Sequence, residues 1–439
     1  MAAAMRFRIQ SSHSRAQRVK PVVARHPFPF SIDHHAMATE YPFELHVSDE
    51  DLQRLHQKLE LTTFPDELDE AGWDYGAPLA DVGRLVARWK DGFDWRKAEA
   101  AINAFPQFTR DIDVDGFGTL NIHYLHQRSS VDHAIPLLFV HGWPGHFMEA
   151  QKIIPLLTSA SPDHPSFHVV AVSLPNFGFS EAPKKKGFSL EQYAEVGNKL
   201  MLSLGYNEFV VQGGDWGYSI SRIMAHTYGS KTVKAWHTNY PRTNFPSFRS
   251  HPVLYLKALV KSCTQFERAV LKRNQWMMKY GKGYFEQQAT RPQTLGYSLA
   301  DSPVGLLAWI YEKLVEWTDN YLWDDDEVLA WVSIYWFSRA GPAASVRIYY
   351  ERVHAITLDT LFSLWSPIPL GLSFFPKDIG IAPPMWARTI GNVLHESVHE
   401  SGGHFSAHEK PEYLVGDLRH MFAKGGPAYG VVSGKSGYA

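Results

Sequence analysis

The segment Gly213-Gly-Asp-Trp-Gly217 places one acidic residue between small residues, after an apolar run and before a helical pattern. Small flanking residues let the backbone turn sharply and expose a central nucleophile at the end of a strand. A carboxylate such as Asp215 is suited to displacing a leaving group at a saturated carbon, because the product is an ester intermediate. The motif therefore indicates ring opening of an epoxide or displacement of a halide. The alternative is a glycine-rich turn in which Asp215 caps the next helix.

Further groups follow the order that α/β-hydrolases show along the chain. His141-Gly-Trp-Pro-Gly145 follows the first predicted core strand. In that fold, this loop and the residue after the nucleophile each supply a backbone N–H to the oxyanion hole. We therefore expect the amides of Trp143 and Trp216 to form that hole. An acid and then a histidine come downstream of the nucleophile, and Asp378 and His404 each follow a predicted strand in this order.

A competing motif, His395-Glu-Ser-Val-His399, matches the H-E-x-x-H zinc signature. A zinc site of this kind needs both histidines on one face of a helix. The segment is rich in β-formers and runs into Gly402-Gly403, which would end a helix. His404 also follows His399 by five residues, whereas the longer zinc motif requires six. We therefore expect a strand here and no metal site.

The elements that must position these groups can be read from the hydrophobic pattern. Buried strands alternating with helices indicate a parallel α/β sheet. Apolar runs occupy 135–140, 167–172 and 209–211, helical patterns cover 190–204 and 218–228, and strand character returns at 368–375 and 393–398. A helix-rich, aromatic segment separates the two groups of strands. The sequence therefore predicts the α/β class: an α/β-hydrolase fold with a mostly parallel sheet, a helical lid insertion and an N-terminal meander.

This pattern divides the chain into six parts. We expect a disordered extension (1–41), an N-terminal segment wrapping the core (42–130), a first core part (131–244), a helical lid (245–360), a second core part (361–424) and a flexible tail (425–439). The first 32 residues contain six arginines and lysines and no acid, as in a mitochondrial transit peptide. The alternatives are a disordered tail and a later start at Met37.

Composition excludes several classes of protein. Of 439 residues, 45% are hydrophobic and 14% aromatic, and the formal net charge is -2, which argues against a disordered chain and against a nucleic-acid partner. Cys263 is the only cysteine, which excludes a disulfide scaffold and fits a reducing compartment. No apolar stretch reaches the roughly 18 residues of a membrane span. We therefore expect a cytoplasmic protein, with mitochondrial targeting as the alternative.

Blocks spread over residues 42–423 together resemble the microsomal-type epoxide hydrolases. The segment Phe93-Asp-Trp-Arg-Lys-Ala-Glu-Ala-Ala-Ile-Asn-Ala-Phe-Pro-Gln-Phe108 is similar to the N-terminal signature of that family. The other similar blocks are His141-Gly-Trp-Pro-Gly145, Gly214-Asp-Trp-Gly217, Asp301-Ser-Pro-Val-Gly305, Phe374-Phe-Pro-Lys-Asp378 and Gly402-Gly-His-Phe405. Mammalian members carry an N-terminal membrane anchor that this sequence does not show, so the chain looks closer in kind to the soluble fungal members.

The resemblance implies two lid tyrosines whose hydroxyl groups hold the epoxide oxygen. The segment Gly283-Tyr-Phe-Glu286 matches the first and implies Tyr284. Arg347-Ile-Tyr-Tyr-Glu351 matches the second, where the spacing to Glu351 favours Tyr349 and leaves Tyr350 as the alternative. The resemblance also implies that the lid can contribute to a homodimer interface.

These assignments predict an epoxide hydrolase that forms a vicinal diol through a hydroxyalkyl ester on Asp215. His404, oriented by Asp378, activates the water that hydrolyses this ester. The expected ligand is a small epoxide, and neither a metal nor an organic cofactor is required. Two alternatives remain open: a haloalkane or haloacid dehalogenase with the same nucleophile, and a non-catalytic small-ligand receptor on the same fold.

Overall fold

The computed structural model describes residues 40–439. The transit-peptide-like segment lies outside the described residues. Glu40 and Tyr41, which composition places in the disordered extension, take part in the fold: Tyr41 pairs with Thr109, and Glu40 accepts a hydrogen bond from the hydroxyl of Tyr124. The predicted boundary of the extension is therefore wrong by two residues, because local composition does not show that a short segment pairs with the edge of a sheet.

The N-terminal segment combines three helices with an antiparallel meander. Ser48 caps the first helix by accepting a hydrogen bond from the amide of Asp51, and Asp115-Gly116 forms the predicted turn between the two long strands. The elements are β1 (Tyr41–Pro42), α1 (Asp49–Glu60), α2 (Leu79–Asp91), α3 (Trp95–Asn103), β2 (Gln107–Val114) and β3 (Gly118–Gln127).

The first core part has the predicted alternation of strands and helices. Its elements are β4 (Ile135–Val140), α4 (Ile154–Thr158), β5 (Phe167–Val172), α5 (Leu190–Ser203), β6 (Phe209–Gly213), α6 (Trp216–Tyr228) and β7 (Val233–Thr238). Ser189 and Gln192 form a reciprocal capping box that starts α5.

Eight helices then form the lid: α7 (Pro252–Val260), α8 (Gln265–Trp276), α9 (Gly283–Thr290), α10 (Pro292–Asp301), α11 (Pro303–Glu316), α12 (Asp325–Trp336), α13 (Arg347–Ala355) and α14 (Leu358–Ser363). The N-terminal segment contacts this lid through paired charges. Arg88 on α2 makes a two-pronged contact with Asp326 on α12, at 2.8 and 2.9 Å. Lys58 on α1 pairs with Asp301 at the end of α10.

The second core part completes one nine-stranded sheet. Its elements are β8 (Pro369–Phe374), α15 (Pro384–Ala387), β9 (Asn392–Val398), α16 (Ser406–Glu409) and α17 (Pro411–Phe422). The strand order is β1-β2-β3-β5-β4-β6-β7-β8-β9, antiparallel from β1 to β5 and parallel from β5 to β9. The carboxyl ends of β6, β8 and β9 therefore lie along one edge of the sheet.

Both faces of the central sheet are covered. All six residues of β4 are buried, and successive side chains point to opposite faces. Leu138 and Val140 join one hydrophobic cluster, whereas Leu137 and Phe139 join the other. Within residues 40–439, no helix is both long enough and apolar enough to cross a membrane.

The segment after α17 packs against the core, although its Gly- and Ser-rich composition predicts a flexible tail. Tyr438 is only 6% exposed. The amide of Ser166 donates to the carbonyl of Gly437, and the amide of Gly437 donates to the carbonyl of His133, both at 2.7 Å. The prediction of a flexible tail is wrong because local composition does not show whether a few apolar side chains pack against a surface that is distant in the sequence.

We predict that Tyr438→Ala lowers the free energy of unfolding by about 2–4 kcal/mol, because it removes a buried aromatic ring. Tyr429→Ala, in the same segment but 43% exposed, should cost less than about 1 kcal/mol. Melting temperatures of the two variants and the unchanged chain test this. Equal, small effects would show that the segment adds nothing to stability.

Candidate active site

Asp215 occupies the sharp turn between β6 and α6 that the sequence predicts. Its backbone has φ +50°, a conformation that non-glycine residues rarely adopt. A Cβ atom at Gly213 would overlap the carbonyl of Gly217, and one at Gly217 would overlap the carbonyl of Val140. Only glycine therefore allows the two arms of this turn to approach each other and strand β4.

The turn brings Asp215 into contact with the predicted histidine and acid. Oδ2 of Asp215 lies 3.3 Å from Nε2 of His404. Nδ1 of the same ring lies 2.6 Å from Oδ1 of Asp378, which also accepts the amide of Ile379 at 2.6 Å. His404 and Asp378 are 4% and 1% exposed, so bulk water does not screen the contacts between them.

The two carboxylates control the charge of His404. Burial disfavours the imidazolium form, but Asp378 and Asp215 together more than offset this penalty and raise the pKa of His404 to about 10. The resting ring is therefore positively charged at neutral pH. It can become a base only after one of the neighbouring negative charges is removed.

The loop after β4 presents an amide to Asp215. The N–H of Trp143 donates to Oδ1 of Asp215 at 2.9 Å. Trp216 is the first residue of α6, so its amide has no acceptor within the helix. Nε2 of the buried His141 ring accepts the amide of Leu174, which leaves Nδ1 as the donor to the carbonyl of Gly142 at 2.9 Å. Burial lowers the pKa of His141 to about 4, so this neutral tautomer persists.

Lid helix α12 holds the same loop from the other side. The indole N–H of Trp331 donates to the carbonyl of Pro144 at 2.7 Å, and the hydroxyl of Tyr335 donates to the carbonyl of Gly145. The sequence analysis did not identify either residue. No local motif marks them, since they lie more than 180 residues from the loop that they contact.

Two lid tyrosines line a narrow cavity of about 50 Å³ together with Asp215. Tyr284 comes from α9, and its ring is parallel to that of Trp143 at 5.5 Å. Tyr349 comes from α13 and packs edge-on against Trp216 at 4.8 Å. Burial raises the pKa of both phenols well above the ordinary value, and Asp215 adds to the effect. Both hydroxyl groups therefore stay protonated.

Tyr350, the alternative to Tyr349, does not line this cavity. Its ring stacks on His354 with ring centroids 3.9 Å apart. Adjacent helical residues point in different directions, so only one of the two tyrosines can face Asp215. The spacing to Glu351 favoured Tyr349, and Tyr349 is the tyrosine that lines the cavity with Asp215.

The sequence analysis did not identify three ionisable residues of this region. Arg242, four residues after β7, and Arg352 on α13 line the cavity with Asp215. Glu149 is 8% exposed; burial, with Asp215 nearby, raises its pKa to about 8, so it is largely protonated at neutral pH. None of the three belongs to a motif with recognisable spacing.

His395 of the zinc-like motif lies on strand β9, as predicted, and His399 is the first residue after that strand. Nε2 of His395 and Nε2 of His399 approach Asp417 at 3.6 and 2.7 Å. Among residues 40–439, no group of three or more histidine, cysteine or acidic side chains is arranged to hold a metal ion. The two histidines of the H-E-x-x-H pattern here contact Asp417 on α17.

Comparison with known proteins identifies the family. A family model described as the epoxide hydrolase N terminus matches residues 40–150, and one for the alpha/beta hydrolase fold matches residues 135–294. Epoxide hydrolase 1 of Sus scrofa is 34% identical over 408 residues, which cover 86% of this chain and 87% of that protein.

Solved structures agree with these matches. The epoxide hydrolase of Aspergillus niger superposes with a TM-score of 0.76 at 32% identity, covering 87% of this chain and 96% of that one. Juvenile hormone epoxide hydrolase from the silkworm Bombyx mori gives a TM-score of 0.77 at 28% identity, covering 87% and 93%. Since identity above 30% extends over more than four fifths of both chains, this chain is an enzyme of the epoxide hydrolase family and has the α/β-hydrolase fold that its sequence predicts.

Proposed function

We propose that the chain converts an epoxide and water into a vicinal diol through a covalent ester on Asp215. The observation that carries this proposal is that the carboxylate of Asp215 lines one cavity with two protonated phenols and also contacts a histidine that is paired with Asp378. Epoxide hydrolysis uses each of them. The nucleophile opens the ring, the phenols supply a proton to its oxygen, and the histidine activates the water that cleaves the ester.

Ring opening begins at Oδ2 of Asp215, because Oδ1 is engaged by the amide of Trp143. Attack on one ring carbon forms a C–O bond and breaks the bond from that carbon to the ring oxygen. Tyr284 and Tyr349 donate hydrogen bonds to this oxygen, and one of them transfers its proton. Their raised pKa values keep both phenols protonated until the ring oxygen becomes a stronger base.

Esterification removes the negative charge of Asp215 and thereby frees His404 to act as a base. The imidazolium has lost one of the two charges that stabilise it, so its pKa falls. Its proton restores the phenol that was ionised in the first step. His404 is then neutral, and Asp378 still holds Nδ1 so that Nε2 faces the ester.

Water attack completes the cycle. His404 takes a proton from water as the water oxygen adds to the ester carbonyl of Asp215. The negative charge develops on Oδ1, where the amides of Trp143 and Trp216 stabilise it by about 3–4 kcal/mol per donor. The ester bond then breaks, His404 protonates the leaving alkoxide, and a diol departs. The carboxylic acid of Asp215 returns its proton to His404, which restores the resting ion pair without a metal or organic cofactor.

Asp215→Asn should reduce diol formation by several orders of magnitude, because a neutral amide is a poor nucleophile. Freshly purified protein, a panel of styrene-type and aliphatic terminal epoxides, and chromatography of the diols test this. Substantial immediate turnover by the variant would contradict the assignment. Halide release from haloalkanes or haloacids by the unchanged chain, without diol formation, would instead favour the dehalogenase.

His404→Gln should still form the ester but hydrolyse it slowly, because glutamine cannot accept the proton of water. Intact-protein mass spectrometry should then show an adduct equal to the mass of the epoxide, located on the peptide that contains Asp215. The variant Asp215→Asn is the control, since it should show no adduct. Absence of the adduct from His404→Gln, with the variant folded, would contradict this role.

Tyr284→Phe and Tyr349→Phe should each slow ester formation by about a hundredfold, because each removes one donor to the ring oxygen. Tyr350→Phe is the matched control, since Tyr350 does not line the cavity, and its rate should change by less than about threefold. Stopped-flow measurement of ester formation distinguishes these outcomes. A larger loss in Tyr350→Phe than in Tyr349→Phe would reverse the assignment.

A further inference from the structure

The cavity that holds the nucleophile also exposes two arginine side chains. Arg352 lies on α13, three residues after Tyr349, so both side chains project from the same helical face. Arg242 reaches the cavity from the segment that connects β7 to the lid. Neither guanidinium takes part in the ring opening or ester hydrolysis derived above, so their presence in the cavity calls for a separate explanation.

Arg352 is buried without a counter-charge. It is 6% exposed, and one of its Nη atoms is enclosed without a hydrogen-bond partner. No carboxylate of the described chain lies within salt-bridge distance of its side chain. Burial and the neighbouring Arg242 lower its pKa to about 10, so it still carries a positive charge at neutral pH. A buried, unpaired charge is costly unless a partner of opposite charge can reach it.

Arg222 shows how this fold satisfies an arginine that has only a structural role. It is 2% exposed, and its guanidinium donates to the carbonyls of Leu364 and Phe362 and to the hydroxyl of Tyr218, at 2.6–3.0 Å. Arg352 makes no comparable set of bonds within residues 40–439. Its guanidinium donors are therefore not occupied by acceptors of the described chain, although Arg352 lines the cavity.

Arg242 adds a second positive charge at the same place. Within the described part of the chain it forms no salt bridge, and it is close enough to Arg352 to affect its pKa. The carboxylate that lines the cavity with them, Asp215, is already engaged by His404 and by the amide of Trp143. Two like charges that face one cavity repel each other, and an anion between them would relieve that repulsion.

We propose that Arg242 and Arg352 form an anion-binding subsite, and that the substrate is an epoxide that carries a carboxylate group. This inference rests on the proposed function and narrows its substrate class. Guanidinium groups match the planar carboxylate through paired hydrogen bonds. Arg352 lies roughly 5 Å along α13 from Tyr349, which corresponds to about one helical turn. The carboxylate must therefore be separated from the epoxide ring by several bonds.

The experiment compares terminal epoxyalkanoic acids of increasing chain length with their primary amides. The amide keeps the size and the epoxide but lacks the charge. For at least one chain length, we expect kcat/KM for the acid to exceed that for the amide by about tenfold or more, mainly through a lower KM. The saturated acid of that length should likewise inhibit hydrolysis of a neutral epoxide more strongly than the saturated amide does.

Arg352→Met and Arg242→Met should each lower the acid-to-amide ratio of kcat/KM by about tenfold. Arg347→Met is the matched control, because Arg347 lies on the same helix but is exposed and does not line the cavity. Its ratio should remain that of the unchanged chain. If Arg352→Met fails to fold, Arg242→Met and the inhibition by saturated acids decide the question.

Two negative results have different meanings. If neutral epoxides and amides are hydrolysed but acids are neither preferred substrates nor better inhibitors, the anion subsite is overturned and the proposed function stands. An unchanged acid-to-amide ratio in both folded methionine variants would also overturn it. If no epoxide, charged or neutral, yields a diol or an ester on Asp215, the proposed function fails and the subsite inference fails with it.

Discussion

The arrangement of this active site depends on one histidine held between two carboxylates where water is almost excluded. His404 reaches Asp215 through Nε2 and Asp378 through Nδ1, and the three residues follow three different strands. Only parallel strands place all their carboxyl ends along one edge of a sheet. A parallel sheet needs cover on both faces. The contacts between Asp215, His404 and Asp378 therefore depend on the hydrophobic layers and helices that cover this sheet.

The lid is a structural part of the active site as well as its cover. Helix α12 holds the loop that carries Trp143 through Trp331 and Tyr335. Tyr284 stacks on Trp143 itself. The proposed donors to the ring oxygen and to the ester oxyanion therefore pack directly against one another. Such preorganisation matters because a donor stabilises a transition state only if it is already in place when charge develops.

Some charged groups of the cavity have a partner of opposite charge and others do not. The charges of Asp215 and His404 compensate each other, and in the proposed mechanism covalent attachment of the substrate to Asp215 removes this compensation and lowers the pKa of the histidine. The guanidinium of Arg352 is buried in the same cavity without such compensation. Burying an unpaired charge costs stability, and the proposed anion subsite would compensate the charge of Arg352.

Sequence alone determined the features that are encoded within a few residues: the strands and helices of the core, the glycine-flanked turn at Asp215 and the strand ends that carry Asp378 and His404. Apolar periodicity and small residues act locally, so their spacing along the chain is sufficient to predict them. Tertiary structure decided which segments meet. It brought Arg242 and Arg352 into the cavity and packed Tyr438 on the core, because contacts between residues far apart in the chain depend on how the elements pack and leave no spacing to read.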